Sequence, residues 1–147
     1  MEFIEKLKEE HEEVERELVE LEEVMENPEV NYSNLVHVLK KLYNLWDAHE
    51  QKEELIFGKF KREKILVPVR KMHFDHEYLR KHKDSIKEAI ESGSELKLKN
   101  CFESDVKQLI IKLRRHMESE EIGLFVVPFE NVFSEKEVEE LNNIANN

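Results

Sequence analysis

The sequence is poor in the residues that cross-link a chain or bend it. Its 147 residues include one cysteine, three glycines and three prolines. A single cysteine, Cys101, excludes an internal disulfide and a metal cluster held by several thiolates. So few glycines and prolines predict few turns and long elements, which is typical of a helical protein. One cysteine also fits a reducing compartment.

The sequence also lacks a long apolar run. Its longest apolar stretches, 65–69 and 124–129, are too short to span a bilayer, and each contains a proline. The opening residues MEFIEKLKEE carry charge throughout and have no apolar centre of the kind a signal peptide needs. We therefore expect a cytoplasmic protein.

Positive charge is in deficit. Lysine and arginine total 23 against 34 aspartates and glutamates, which gives a net charge of −11. A nucleic-acid partner needs a basic face for its phosphates, and an anionic membrane attracts basic segments. We therefore expect neither partner, and we interpret most of the acidic charge as solvated surface rather than an interaction patch.

Apolar residues recur at spacings of three and four, which predicts helices. Helix 1 is predicted over 3–26, where Asn27-Pro28 stops it. Helix 2 begins near Ser33, a suitable N-cap, and fades in the basic run 59–64. Its apolar stripe includes Phe60.

The second half of the chain repeats this organisation. Helix 3 starts at Pro68, carries Val69 inward and ends before Gly93. Helix 4 begins within 98–105 and closes at 123–128, and the capping-box sequence SEKE opens a short fifth helix at Ser134. Short connections between long helices predict an all-α, up-down-up-down antiparallel four-helix bundle in one domain, 1–147.

Each apolar stripe is interrupted by residues that commonly bind metals. Histidine and glutamate stand where the three-and-four spacing calls for a core residue, and twice they stand four residues apart. That spacing stacks two side chains on one helix face. The interrupting residues are His11 in helix 1, His49 and Glu53 in helix 2, His76 in helix 3, and His116 and Glu120 in helix 4.

The interruptions lie at matching heights in the predicted bundle. His11 is 15 residues before the end of helix 1, and His49 is 16 residues after Ser33. Both therefore lie ~23 Å from the same end of the bundle. Glu53 and His76 also lie at matching heights, because Glu53 is about nine residues before the end of helix 2 and His76 is eight residues after Pro68. We expect one layer that contains all six side chains.

The two halves of the chain carry the same arrangement. His11 precedes the His49–Glu53 pair by 38 residues, and His76 precedes the second His-x-x-x-Glu pair by 40. The local sequences are also similar, with HEQKEE in the first half and HMESEE in the second. Two similar halves predict two metal ions related by a pseudo-two-fold axis.

Electrostatic cost favours metal over a purely structural layer. Burying an ionised carboxylate costs several kcal/mol, and two of them unpaired would consume much of a total stability of ~5–15 kcal/mol. Two buried glutamates therefore need protons, ion pairs or cations. No lysine or arginine interrupts the stripes at this height, and Lys83 is two turns away. Metal ions would satisfy both carboxylates and imidazoles.

Other polar residues near the layer leave alternatives open. His73, three residues before His76, is a ligand or a supporting group. Glu50 and Glu121 adjoin the predicted ligands and are candidates to hydrogen-bond with them. We expect surface positions for His37 and His82, a core position for Trp46, and an inert thiol at Cys101.

Taken together, these motifs resemble the hemerythrin-like domains, also called HHE cation-binding domains. The matching segments are EEHEE around His11, HEQKEE from His49, MHFDHEYL around His76 and HMESEEIGLF from His116, and the resemblance extends to Pro128. It implies a four-helix bundle with two non-haem iron ions bridged by carboxylates and a solvent-derived oxygen. It also implies these ligands: His11, His49, Glu53, His76, His116 and Glu120.

The sequence departs from the oxygen-carrying members of that family. They hold a His-x-x-x-His pair on helix 3, whereas Met72 stands four residues before His76 here. Their helix 4 carboxylate is often an aspartate five residues after the histidine, whereas Glu120 is four after His116. The departures imply a carboxylate-rich, open site. The ferritin-like alternative needs Glu-x-x-His pairs, and no histidine in this sequence has a glutamate three residues before it.

The resemblance predicts a protein that binds dioxygen or a related diatomic ligand at a reduced di-iron centre, for oxygen binding, sensing or iron and redox handling. Manganese and zinc also suit imidazole and carboxylate ligands. The first alternative is an enzyme, a di-iron oxidase or peroxidase. The second is a metal-responsive structural or interaction module.

Overall fold

The structure is a computed structural model that describes residues 2–62 and 66–147, with the side chains of 60–69 outside that description. The expected inward positions of Phe60 and Val69 therefore lie outside the described residues. Throughout the described ranges the regular structure is helical, without a strand. No helix within those ranges combines the length and apolarity needed to cross a membrane.

The first two helices, α1 (Glu2–Glu26) and α2 (Tyr32–Arg62), follow the predicted apolar pattern. The α1 residues that are buried include Leu7, His11 and Val14. The helix begins near Ser33 as predicted, but the predicted capping residue was wrong. Asn31, rather than Ser33, precedes the helix, and its Oδ1 accepts a hydrogen bond from the Asn34 amide at 3.1 Å.

The third helix, α3 (Leu66–Glu91), begins slightly before the predicted start. Pro68 consequently lies in its first turn, where a proline costs no helical hydrogen bond. Gly93 follows the helix with a φ of 67°, a conformation that glycine adopts without steric penalty. The predicted end of helix 3 is thereby confirmed.

The fourth long helix is made of three consecutive pieces: α4 (Glu95–Cys101), a π-helical turn (Phe102–Val106) and α5 (Lys107–Gly123). The predicted start within 98–105 was wrong because Ser94 caps the helix earlier, its side chain accepting from the Lys97 amide at 3.3 Å. The π turn inserts extra backbone and keeps Phe102 and Val106 both buried.

The chain closes with a 3-10 turn (Phe129–Asn131) and α6 (Glu135–Asn146). The predicted capping box is confirmed, because Ser134 and Glu137 each bond the other's backbone amide. α6 packs against α1 and α2. There the Phe3 amide donates to Asn142 Oδ1 at 3.0 Å.

Ion pairs connect neighbouring helices into a bundle. They are Lys41 with Glu17 between α1 and α2, Arg80 with Glu50 between α2 and α3, and Arg114 with Glu15 between α1 and α5. A hydrogen bond between His82 and Asp105 joins α3 to the π turn. The expectation of a helical bundle is confirmed.

Among the residues whose side chains are described, the interior contains two apolar clusters. The large cluster comprises Val14, Leu18, Leu21, Leu35, Val38, Leu39, Leu42, Tyr43, Trp46, Leu79, Ile86, Ala89, Cys101, Phe102, Val106, Leu109, Ile110, Leu113 and Met117. The end cluster comprises Phe3, Ile4, Leu7, Ile56, Phe57, Met72, Leu124, Phe125, Phe129, Phe133, Leu141 and Ala145. On every long helix, the predicted metal-binding residues lie between the two clusters, so a polar layer separates them.

Candidate metal centre

The six predicted ligands come together in this buried layer. The exposed fraction is 4% for His11, 2% for His116, 1% for His49, and zero for Glu53, His76 and Glu120. Their burial follows from the interrupted stripes, because each residue occupies a turn whose neighbours on both sides belong to the core. The structure therefore brings together the whole predicted set.

Two of the helices present a histidine and a glutamate on consecutive turns of one face. The Nε2 atom of His49 lies 2.8 Å from Glu53 Oε1 on α2. On α5, His116 Nε2 lies 3.1 Å from Glu120 Oε1. The i, i+4 spacing produces both contacts, as the sequence predicts.

Contacts between helices complete the layer. His11 Nε2 lies 3.2 Å from Glu120 Oε1, and His76 Nε2 lies 3.5 Å from Glu53 Oε1. Each glutamate thus contacts one histidine of its own helix and one of another helix. In addition, the Nε2 atoms of His76 and His116 face each other at 3.1 Å.

The six residues divide into two overlapping groups that could each hold a metal ion. One group is His11, His49, Glu53 and Glu120, and the other is Glu53, His76, His116 and Glu120. In each group, one ligand atom per residue lies within 4.8 Å of all the others. Both glutamates belong to both groups, which suits carboxylates shared between two cations.

The outward ring nitrogen of every histidine in the layer contacts a carboxylate. Because an ionised carboxylate only accepts, the Nδ1 atom donates. The pairs are His49 with Glu10 at 2.9 Å, His76 with Glu54 at 2.9 Å, His116 with Asp75 at 3.0 Å and His11 with Glu121 at 3.4 Å.

Sequence reasoning identified only Glu121 among these four outer carboxylates and missed Glu10, Glu54 and Asp75. A signal was present, because each of them directly adjoins a predicted ligand in the sequence. They lie one residue off the apolar stripe, where an acidic side chain is usually read as solvated surface.

Despite these short distances, several polar atoms of the layer make no hydrogen bond of suitable angle among the described residues. They are both carboxylate oxygens of Glu53 and of Glu120, and the Nε2 atoms of His11 and His49. Buried polar groups left in this way cost free energy. The donor set of imidazole nitrogens and carboxylate oxygens is the one that iron, manganese and zinc accept, so the residues fit a metal pair.

The electrostatics of the layer also favour positive charge inside it. Burial raises the pKa of Glu53, but His49 and His76 outweigh burial and hold that pKa well below its usual range. Burial lowers the pKa of His49, yet Glu53 and Glu10 raise it to about 9. Burial likewise opposes Glu53 and Glu54 at His76, whose pKa is also raised to about 9. Protons on His49 and His76 therefore balance the charge of Glu53 when no other cation is present.

The other two histidines respond differently. Burial, followed by the neighbouring His49, lowers the pKa of His11. Burial also lowers the pKa of His116, despite the hydrogen bond to Asp75. Both imidazoles are consequently neutral near pH 7, which is the form that binds a metal ion.

Aromatic rings enclose the layer. The Trp46 ring centroid lies 5.3 Å from that of His49, 5.6 Å from that of His116 and 6.1 Å from that of His76. From the other side, Phe125 stacks on His11 at 5.4 Å and Phe57 stacks on His76 at 5.7 Å. Trp46 is a core residue, as expected, and it also forms one wall of the layer.

The neighbouring candidates lie outside the two groups. His73 is half-exposed, with Nδ1 3.3 Å from Glu54 and Nε2 3.5 Å from Glu77. Glu50 is buried but pairs with Arg80 at 2.7 Å. Glu50 also lies near Glu54 and His76 in a third acidic group, where the arginine already supplies a positive charge.

The remaining sequence expectations have mixed outcomes. His37 is exposed as expected, but His82 is half-buried because it lies 3.4 Å from Asp105. Cys101 is buried, and burial together with Asp105 raises the pKa of its thiol to about 11, which makes it inert. Lys83 is buried and bonds Asp47 rather than the layer.

Comparison with known proteins assigns the chain to a family. Residues 2–126 match the family model described as the hemerythrin HHE cation binding domain, a span that contains all six residues of the layer. No curated protein and no solved structure matches the chain significantly. With most of its length matched and a buried histidine–glutamate layer between its helices, the chain belongs to the hemerythrin HHE cation-binding domain family.

Proposed function

We propose that the layer holds two non-haem iron ions and that the reduced protein binds dioxygen or a related diatomic ligand such as nitric oxide. The observation that carries this proposal is the sharing of Glu53 and Glu120 between the two four-residue groups. Manganese or zinc would suit the same ligands.

The hydrogen bonds around the histidines support a cation site. Each Nδ1 atom donates to an outer carboxylate, so the Nε2 atom of a neutral imidazole turns its lone pair inward. Without metal, the raised pKa values of His49 and His76 keep a proton on each Nε2 atom, and His76 then donates to His116 Nε2 at 3.1 Å. Metal ions would replace these protons. The four Nε2 atoms and the oxygens of Glu53 and Glu120 would then all be acceptors that face cations.

Each inner residue has a role in the proposed site. The four imidazoles would hold the ions through neutral nitrogen ligands, and Glu53 and Glu120, which belong to both groups, would supply negative charge to both. When bound, a reduced iron pair supplies the electrons and the open position that a diatomic ligand requires.

The apolar surroundings would keep water out of the site. Leu7, Leu79 and Leu113 are each 1% exposed and flank the layer on three helices. Leu45 lies partly buried against the large cluster. Exclusion of bulk water strengthens electrostatic interactions in the layer and slows oxidation of the reduced metal by solvent-assisted routes.

An oxidase or peroxidase activity is the second candidate. It is favoured by Met72, which is 1% exposed in the end cluster at a position where the oxygen-carrying members hold another imidazole. A metal-responsive interaction module is the third candidate, because the layer joins all four long helices and its occupancy would stabilise them together.

We also propose the up-down-up-down order and a single domain over 1–147. The order is supported by contacts that run in opposite directions along neighbouring helices. Glu10 and Glu20 of α1 contact His49 and Lys41 of α2, respectively. A cytoplasmic location, which the lone cysteine fits, belongs to the same proposal.

The test is an anaerobic oxygen titration. Metal-free protein is loaded with Fe²⁺, freed of excess metal, reduced, and exposed to oxygen while its optical spectrum and oxygen uptake are recorded. We expect a spectral change that reverses when oxygen is removed. Irreversible uptake, or steady turnover of peroxide, would assign the enzyme instead. A spectrum that never changes would contradict both.

A matched pair of variants locates the response. Glu120→Gln removes a buried carboxylate of the layer and should abolish the spectral change. Glu118→Gln changes an exposed glutamate two residues away on α5 and should leave it intact. Equal behaviour of the two variants would show that the response arises elsewhere.

A further inference from the structure

We propose that Glu10, Glu54, Asp75 and Glu121 form an outer carboxylate ring that positions the four histidines of the metal layer. The inference rests on the proposed function, since it assigns residues that orient the ligands of that site. These four side chains touch the histidines and not the layer's interior, so they are positioning residues rather than ligands.

The ring follows the chain from helix to helix. Each long helix supplies the carboxylate for a histidine on the next one, and the last returns to the first. The bonds run from Glu10 on α1 to His49 on α2, from Glu54 on α2 to His76 on α3, from Asp75 on α3 to His116 on α5, and from Glu121 on α5 to His11 on α1.

The sequence positions explain the cyclic order. Glu10 and Asp75 come one residue before a histidine of the layer, whereas Glu54 and Glu121 come one residue after a glutamate of the layer. One residue turns a helix by about 100°. In the proposed up-down order, neighbouring helices run in opposite directions. Moving one residue back along one helix and one residue forward along its neighbour therefore rotates the side-chain direction in the same sense, viewed from one end of the bundle. All four carboxylates therefore point around the bundle in one direction.

Chance is a poor explanation for this arrangement, even in a chain with 34 acidic residues. All four histidines of the layer have such a partner, all four contacts involve Nδ1, and each joins a different pair of helices. The arrangement also repeats between the two halves of the chain, because each half has one carboxylate directly before a layer histidine and one directly after a layer glutamate. An acidic surface alone does not produce that regularity.

The chemistry of each contact sets the state of the imidazole. A carboxylate accepts hydrogen bonds only, so it keeps a proton on Nδ1, and Nε2 is the atom that faces inward and would bind a cation. The bond also fixes the ring plane, and the charge of the carboxylate makes the imidazole a stronger donor to a cation. The ring would thus hold all four imidazoles with Nε2 directed at the metal layer.

The four members are not equivalent. Glu10, Glu54 and Asp75 lie 2.9–3.0 Å from their histidines, whereas Glu121 lies 3.4 Å from His11 and its side chain is 43% exposed. Lys52 holds Glu10 from the outside at 2.7 Å. We therefore expect Glu121 to contribute least.

The first measurement is the affinity of metal-free protein for Zn²⁺, which has no redox chemistry. Glu10→Ala and Asp75→Ala should each weaken binding by about 10–100-fold. Glu10→Gln and Asp75→Asn should weaken it less, because an amide oxygen still accepts from Nδ1 while the charge is lost. Glu121→Ala should show the smallest loss of the alanine variants.

Two controls separate the ring from general surface charge. Glu12→Ala removes an exposed carboxylate two residues from Glu10 and should leave the affinity for Zn²⁺ unchanged. Lys52→Met removes the cation beside Glu10 but keeps the bond to His49, and it should not weaken binding.

The second measurement reads the imidazoles directly, by ¹H–¹⁵N spectroscopy of the Zn²⁺-loaded protein. The Nδ1 proton of His49 should be protected from exchange with water in the wild type and in Glu10→Gln. Protection should be lost in Glu10→Ala, while the Nδ1 proton of His116 stays protected. A loss of general stability would not select one histidine in this way.

The outcomes distinguish the ring from the proposed function. A wild-type protein that takes up no Zn²⁺ would overturn both. Wild-type binding with unchanged affinity and unchanged Nδ1 protection in Glu10→Ala and Asp75→Ala would overturn the ring alone. If an alanine variant loses helix content by circular dichroism, the Gln or Asn variant at the same position is used to test the ring instead. A Glu10→Gln variant that binds Zn²⁺ with wild-type affinity but has lost the protection of the His49 Nδ1 proton would also overturn the ring.

Discussion

The two apolar clusters on either side of the metal layer are built differently. The large cluster contains residues of all four long helices, and those helices supply the whole of it. The end cluster needs the tail of the chain, since the 3-10 turn and α6 contribute Phe129, Leu141 and Ala145. That tail follows residue 126, where the family match ends.

The difference separates two tasks. The large cluster holds the helices together, whereas the end cluster closes the bundle beside the layer. Phe125 and Phe57, which stack on His11 and His76, both belong to the end cluster. Neither ring lies in the tail, but the tail packs in the cluster that contains both of them. We therefore expect damage to the tail to loosen the enclosure of the metal layer more than it lowers the stability of the bundle.

The largest effect on stability is expected in the large cluster. Leu18 is fully buried there, so Leu18→Ala should lower the free energy of unfolding by about 2–5 kcal/mol. Urea denaturation of the metal-free protein measures the change. Leu55→Ala, at a position that is 62% exposed, is the control and should change it by less than ~0.5 kcal/mol.

A smaller global effect is expected when the end cluster is cut. Leu141 on α6 is also fully buried, but α6 can detach locally, which limits the global loss of Leu141→Ala to about 1–3 kcal/mol. Hydrogen exchange should become faster in α6 before it does in α2. Iron should also leave the loaded protein faster.

The comparison between clusters would be broken by a uniform response. If Leu141→Ala destabilises the protein as much as Leu18→Ala and accelerates exchange everywhere, the two clusters form one cooperative unit. If it leaves the rate of iron loss unchanged, the tail does not enclose the layer.

Two serine caps offer a matched pair at the two ends. Ser134→Ala removes one bond of the α6 capping box, and Ser94→Ala removes the cap of α4. Each should cost about 1 kcal/mol of local helix stability. Hydrogen exchange should show the first loss in α6 and the second in α4. Faster hydrogen exchange at the end of the bundle opposite the substitution would contradict the independence of the two clusters.

The smallest effect concerns Cys101, a buried member of the large cluster. Burial and Asp105 raise the pKa of its thiol to about 11, above the ~8.5 of a free thiol. The folded protein should therefore react slowly with a thiol reagent at about pH 8, and quickly once unfolded in urea. Equal rates in the two states would contradict the burial.

The sign of the pH dependence follows from the same shift. A group whose pKa is higher in the folded state stabilises that state while it remains protonated. The contribution of Cys101 is therefore complete below ~8.5 and is lost as the pH rises through about 11. Replacement by alanine should remove this part of the alkaline loss.

The sequence was sufficient to predict the long helices and the six residues of the layer. The helices and the layer residues are both indicated by the spacing of residue types along one helix. His11, for example, stands between Leu7 and Val14 in the apolar stripe of α1. The fifth helix was predictable for a similar reason, because a capping box is a local pattern. These features do not require knowledge of which helices pack together.

Features that depend on neighbouring helices could not be read in this way. The bond from Glu10 to His49 exists because α1 and α2 pack with one particular rotation. The cap at Asn31 and the early start at Glu95 reflect competition among several suitable capping residues. The π turn adds backbone without a distinctive sequence, and the stripe through Phe102 and Val106 reads as ordinary helix.

The most direct test of the proposed site is an anaerobic titration of metal-free protein with Fe²⁺, followed by the fluorescence of Trp46. This is the only tryptophan of the chain, and its ring lies 5.3–6.1 Å from three histidine rings of the layer. We predict quenching that saturates at two ions per chain and disappears when Glu53 and Glu120 are both replaced by glutamine. Saturation at a single ion, or quenching that survives the double replacement, would contradict the shared two-metal layer.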